Sequence, residues 1–357
     1  MPRTDYLIVI LILLVIAVKG FLDGVGLGLV IAVVLFVIKY SSVDVVKQAL
    51  SGATSSSNVD RPVEHRQLLR AKGEELFILR LQGYIFFGTA HNLYRRVRER
   101  ATNRTLPRLH FVLLDFARVS GLDSSAEICF VKMMQLARSQ GLRLVFTQIT
   151  SGLQRQLERA VFTKEHSSVF HIFPDQDHGI EWCENAILET ENLLSEEEKR
   201  PLFTYLQKCF PKGVDPAQMM TYLEKREVEG GYYLMRQGEA SDGLYFIESG
   251  QLIAEISTGG EPSGRDKASD SGAGKTIRLR AMRPGTVVGE VSLYLGIPRT
   301  ASVVTSKPSK LYFLSSEALH RMEENRPELA SAFHQFIARL LAERLSDNSR
   351  TIQALSD

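Results

Sequence analysis

The chain has 357 residues, of which 44% are hydrophobic and 24% charged, with a formal net charge of +2. That length allows two or three domains, each with its own core. So balanced a charge offers no basic face, and no nucleic-acid partner is expected. Cys129, Cys183 and Cys209 are odd in number and form no CxxC pair, which speaks for reduced thiols rather than a disulfide framework or a zinc site.

The N-terminus carries two apolar runs, YLIVILILLVIAV (6–18) and GLGLVIAVVLFVI (26–38), separated by KGFLDGV. Each is shorter than the roughly 20 residues of a full helical span, although flanking residues extend both. A cleaved signal peptide would leave the second run unexplained, and a buried soluble hairpin would lack a wet face. The expectation is a transmembrane helical hairpin over 1–48. Lys39 and Lys47 follow the second run and Arg3 precedes the first, which places the remainder in the cytoplasm. SGATSSSNVDRP (51–62) reads as a polar linker, assigned to 49–71.

Strand and helix patterns then alternate. LFILRL (76–81), YIFF (84–87), LHFVLLDF (109–116), RLVFTQI (143–149) and VFHIF (169–173) read as strands. HNLYRRVRER (91–100), SSAEICFVKMMQLARSQG (124–141), SGLQRQLERA (151–160) and DHGIEWCENAILET (177–190) read as helices. Gly141 stands where a C-terminal glycine belongs, and Met133-Met134 reads as core packing. The alternation predicts a layered α/β domain over 72–195. Its turn VSGLDSSAEI (119–128) ends a buried strand and opens a helix at Asp123-Ser124-Ser125. Those side chains suit N-capping. A helix start also stabilises an added phosphate, so both readings stay open.

GYIFFGTAHNL and LLDFARVSGLDSSA, with this order of elements, resemble the STAS domain of anti-sigma-factor antagonists and SulP anion transporters. The resemblance implies Ser125 as candidate phosphoacceptor, although Ala126 stands where glycine is usual. The preceding hairpin is similar to the last two membrane segments of a SulP transporter.

From about 228 the pattern changes to short β-runs broken by Gly238, Gly243 and Gly250. Such spacing predicts a β-barrel or jelly roll, followed by a helical lid over 319–345 with Pro327 near the start of its second part. Within it lies GEVSLYLGIPRTASV (289–303). Gly289 lets the backbone approach a ligand, and VSLYLG forms a short helix whose first N–H groups point at an anion. Arg299, after Pro298, can fork onto phosphate oxygens, and Glu290 suits a sugar hydroxyl. The bland alternative is an exposed ion pair between Glu290 and Arg299, which would need neither the glycine nor the proline.

The stretch resembles, without a gap, the phosphate-binding cassette of cyclic nucleotide-binding domains, and RQGEASDGLYFIESGQL (236–252) resembles their first hairpins. The resemblance, over 205–350, implies a ligand site of Gly289, Glu290, Val291, Ser292, Arg299, Thr300 and Ala301. Glu290 would hold the ribose 2′-OH, Arg299 the cyclic phosphate, and backbone N–H groups near Ser292 and Ala301 the rest of the cradle. Thr300 accompanies both cGMP and cAMP preference, so the base stays open.

STGGEPSGRDKASDSGAGKT (257–276) reads as a disordered insertion. Its GAGKT is no P-loop, because Ser269 stands where the pattern needs glycine, no strand precedes it and no helix follows. HIFPDQDHGIEWC (171–183) gathers possible metal ligands, but a strand end and a capped helix account for them at no matching spacing. No nucleophile–base arrangement suggests an enzyme, and no cofactor or metal is expected. The sequence thus predicts a membrane-tethered regulatory protein of α/β plus β-barrel class. It would bind cAMP or cGMP and act through its STAS domain on SulP-type transporter subunits or other STAS-binding proteins. A transporter's own C-terminal portion and a phospho-switched scaffold are the alternative expectations.

Overall fold

The computed structural model describes residues 3–41, 44–163, 167–197, 199–211, 214–257 and 276–356. Residues 258–275, most of the expected insertion including the start of GAGKT, lie outside the described residues. Contacts divide the chain into two compact units, Met1–Ala49 with Ile78–Pro174, and Leu50–Phe77 with Asp175–Asp357.

The first unit opens with helices α1 (Arg3–Lys19) and α2 (Phe21–Ser41), broken at Gly20 with φ +111°. Gly24 and Gly28 let the two pack closely, since a Cβ on Gly24 would lie 2.1 Å from Ile16 Cγ1. The expected membrane crossing is corrected here: among the described residues, no helix is long and apolar enough to cross a membrane. The 17 residues of α1 rise about 25 Å, short of a hydrocarbon core of about 30 Å. In α2 the apolar stretch is bounded by Asp23 and Lys39.

Strand β1 (Val46–Ser51) follows, then β2 (Val59–Asp60) and α3 (Val63–Ala71), which belong to the second unit. The α/β fold continues through β3 (Leu76–Ile85), α4 (Phe87–Thr102), β4 (Phe111–Leu122), α5 (Ser124–Gln140), β5 (Arg143–Thr147), α6 (Ser151–Ala160) and β6 (Phe170–Phe173). Its sheet has the order β1-β3-β4-β5-β6, with β4, β5 and β6 parallel. The apolar runs become its centre, and Leu113, Leu114, Val145 and Phe146 are wholly buried. Around Phe146 gather Phe116, Phe130, Phe162 and Phe170. Two boundaries differ from the pattern reading. β3 is one strand, because Gly83 at φ +72° carries it past the expected break. β4 runs on through the supposed loop to Leu122, and the next amide, Asp123 N–H, donates to Ile85 O at 3.0 Å.

The second unit is a β-barrel jacketed by helices. After α7 (Gln176–Thr190), α8 (Leu193–Glu197) and α9 (Leu202–Cys209) come β7 (Glu224–Val228), β8 (Tyr233–Met235), β9 (Gly243–Ser249), β10 (Leu252–Ser257), β11 (Thr276–Met282) and β12 (Val287–Val288). Then follow α10 (Glu290–Leu295), β13 (Ser302–Thr305), β14 (Ser309–Ser315), α11 (Ser316–Asn325) and α12 (Pro327–Ser356). The strands form two sheets, β2-β11-β10-β13-β8 and β12-β9-β14-β7. Alternation along β9 separates two cores. Tyr245 and Ile247 join Leu252, Val303 and Leu311, while Leu244 and Phe246 pack beneath Phe333 and Phe336 of α12.

The expected linker is the largest departure. Ser55, Ser57, Asp60 and Arg61 are buried, and β2 pairs in parallel with β11, Val59 opposite Ala281 and Asp60 opposite Met282. The polarity that suggested solvent is satisfied by α7. Ser57 N–H donates to Glu184 Oε1 at 2.9 Å, and Arg61 pairs with Glu184 at 3.1 Å and donates to Asn185 at 2.9 Å. α7 itself, read as the last helix of the α/β domain, groups with the barrel unit.

Candidate functional site

Gly289 closes β12 with φ +93°, a left-handed backbone that only glycine adopts without strain. A Cβ there would lie 2.7 Å from Arg299 Nη1 and 3.2 Å from Gly243 O. The glycine therefore makes room first for a guanidinium, and only through it for a ligand. α10 begins at the next residue and stops after six residues at Gly296, again left-handed. The chain returns through Pro298 to Arg299, whose backbone is clamped to the β8–β9 turn: its N–H donates to Glu239 O and its carbonyl accepts from Gly238 N–H, both at 2.8 Å.

Arg299 is 3% exposed. Nη1 donates to Gly289 O at 3.0 Å, and Nη2 donates to Gly243 O at 2.8 Å and Asp242 Oδ1 at 2.7 Å. These bonds use three of the five donors of the fork. Glu290, also buried, does not pair with Arg299; its carboxylate takes Nη1 of Arg344 from α12. The simple ion pair between Glu290 and Arg299 is thereby replaced, each charge having a different partner. Ser292 Oγ donates to Pro298 O at 3.3 Å and fixes the α10 turn. Val291 and Thr300 are exposed and Ala301 half-buried.

All seven expected residues line one cavity of about 400 Å³. Met235, Met282, Val288 and Val303 give it an apolar floor, and Leu341 and Leu345 of α12 flank it. Three further polar residues, Asp60, Arg280 and Arg344, were missed from the sequence. They lie on β2, β11 and α12, far from the contiguous motif, and only Arg344 had a signal, in falling within the expected helical lid.

Ser125, in the first unit, donates from Oγ to both carboxylate oxygens of Asp123 at 2.9 Å, and Asp123 caps α5 by accepting Ala126 N–H at 2.7 Å. Asp123 is thus the N-cap of α5. Nearby, Asp115 accepts from Thr147 Oγ1 at 3.0 Å, and burial pushes its carboxyl up from the ordinary range. In the stretch 171–183, Asp175 caps α7 through His178 N–H at 2.9 Å, and Asp177 and Glu181 grip Arg278 at 2.9 and 2.6 Å. Burial drives the Cys183 thiol well above its usual value, and all three cysteines are free.

Known proteins resemble both units. Residues 225–326 match the family model of the cyclic nucleotide-binding domain, and residues 68–178 that of the STAS domain. The chain carries both domains. It is 24% identical over 206 residues to the vacuolar basic amino acid transporter VSB1 of Saccharomyces cerevisiae, covering 56% of this chain and 20% of that protein. It is 22% identical over 308 residues to glutaminase 2 of Bradyrhizobium diazoefficiens, covering 84% of this chain and 45% of that one. Over 102 residues it is 30% identical to the cAMP-dependent protein kinase regulatory subunit of Emericella nidulans, 29% of this chain and 22% of that one. The chain thus spans less than half the length of these curated relatives. A solved cyclic nucleotide-binding domain from Methylobacillus flagellatus aligns over 42% of this chain and 83% of its own, at 21% identity and a TM-score of 0.35.

Proposed function

We propose that the cyclic nucleotide-binding domain takes up cAMP or cGMP and that its occupancy governs what the STAS domain engages. The observation that carries this reading is the cavity of about 400 Å³ lined by the whole cassette, within the roughly 300–1,000 Å³ of small-ligand sites. Its lining holds three guanidiniums, Arg280, Arg299 and Arg344, against two carboxylates, Asp60 and Glu290. That leaves one positive charge for a singly charged cyclic phosphate. Arg299 supplies the unspent N–H donors for the phosphate, Glu290 an acceptor for the ribose hydroxyl, and the apolar floor a surface for the base. Calorimetry of the full chain with each nucleotide tests this reading; absence of heat with both overturns it.

The regulated party we infer is a membrane transport system, a SulP-type anion transporter, with the STAS and nucleotide-binding domains on its cytoplasmic face. Support comes from the similarity to a membrane transporter and from the outward apolar side chains of the N-terminal helices, Leu22 being 87% exposed and Leu29 68%. Exposed apolar surface of this kind seeks lipid or a partner. Full-length protein is expected to float with liposomes on a density gradient; protein left at the bottom removes the membrane part of the proposal.

A further inference from the structure

We propose that Arg344 is a built-in competitor of the nucleotide, and that Asp60, outside both matched domains, reads its displacement. The inference rests on the cavity being the nucleotide site. Arg344 Nη1 donates to the Glu290 carboxylate, and Nη2 donates to Val287 O at 2.7 Å and lies 2.7 Å from Asp60 Oδ2. One guanidinium from α12 therefore ties the acceptor that a ribose hydroxyl requires to the segment 57–61. Glu290 is 2% exposed, so a hydroxyl that approaches to hydrogen-bond distance, roughly 2.7 Å, takes the place of Arg344.

Asp60 divides its carboxylate between two cations, Oδ1 facing Arg280 and Oδ2 facing Arg344. Its backbone belongs to the barrel sheet: Asp60 O accepts Arg283 N–H at 3.1 Å, and Asn58 O accepts Ala281 N–H at 2.9 Å. When Arg344 leaves Glu290, Asp60 keeps Arg280 but loses its link to α12. A strand two residues long, held by few backbone bonds, depends on such side-chain ties. The same chain continues through α3 into β3, the first strand after it in the STAS sheet. Nucleotide occupancy is thus converted into a loosening of the segment that joins β1 to β3 of the STAS sheet.

The test compares wild type, Arg344→Gln and Arg344→Lys in the full chain, by calorimetry with cAMP and cGMP and by amide hydrogen exchange of residues 57–61. Arg344→Gln is expected to bind about tenfold more tightly, with Arg344→Lys in between. Nucleotide is expected to speed exchange at 57–61 in wild type, while in Arg344→Gln exchange is already fast without it. Binding by the glutamine variant alone also supports the competitor. If wild type binds but Arg344→Gln binds equally or more weakly, the competitor is overturned and the nucleotide site stands. If neither binds, the site itself fails and the inference with it. Should Arg344→Gln not fold, wild type decides: saturating nucleotide that leaves exchange at 57–61 unchanged overturns the proposal.

Discussion

Gly289 and Arg299 constrain each other. The left-handed glycine brings its carbonyl within 3.0 Å of Nη1, and the guanidinium occupies the space a Cβ would need. The fork is therefore assembled before any ligand arrives, which is what lowers the ordering cost of binding. Arg299→Ala is expected to weaken nucleotide binding by about 2–5 kcal/mol, the cost of removing one partner from a buried charged contact. Arg299→Lys, which keeps the charge but not the fork, should fall between, and calorimetry measures both. This part of the site was legible because its residues are contiguous and because glycine and proline mark backbone geometry on the sequence itself. Asp60, Arg280 and Arg344 left no such mark. An arginine on a lid helix looks like any solvated charge until the fold shows which carboxylates it meets.

At the scale of elements, the Ser-rich stretch ahead of α3 shows why composition misleads. Polar residues signal solvent only when nothing in the fold satisfies them, and here Glu184 and Asn185 of α7 do so. The Arg61–Glu184 pair has side chains only 1% and 8% exposed. Removing one member of such a pair strands the other's charge, so Arg61→Ala is expected to cost about 3–5 kcal/mol, read from urea unfolding. Replacing both members with apolar residues should cost much less. The long apolar strands β4 and β5 were plain from their unbroken runs, as was α5 from its periodicity, its Asp123 cap and the left-handed Gly141. Strand ends were not, because the last residues of β4 are held by pairing with β3 rather than by their own pattern. The N-terminal runs are helical as expected. Their hydrophobicity was legible, whereas whether each helix has the length to cross a bilayer depends on where Gly20 divides them.

Across the whole molecule, acid should act through His65. It is 1% exposed, and burial, reinforced by Arg61, Arg283 and Arg200 against a small opposing effect of Glu64, lowers its pKa from 6.5 to about 4. The unfolded chain therefore binds a proton that the folded chain refuses. The stability contributed by neutral His65 is complete above pH 6.5 and is lost as pH falls towards 4, amounting to about 3 kcal/mol. Urea unfolding at pH 7 and pH 4.5 should show this loss in wild type and a smaller one in His65→Gln; equal losses would remove His65 from the account. The order of the chain has a different consequence. The two units alternate along the chain, the barrel unit being made from Leu50–Phe77 and Asp175–Asp357 and the other from Met1–Ala49 and Ile78–Pro174. A fragment cut to the matched borders 225–326 would discard β2 and bare the flank of β11, whose freed amides and carbonyls invite a second molecule to stack there. Excising the nucleotide sensor cleanly means carrying both pieces of the barrel unit and bridging the gap left by removing Ile78–Pro174.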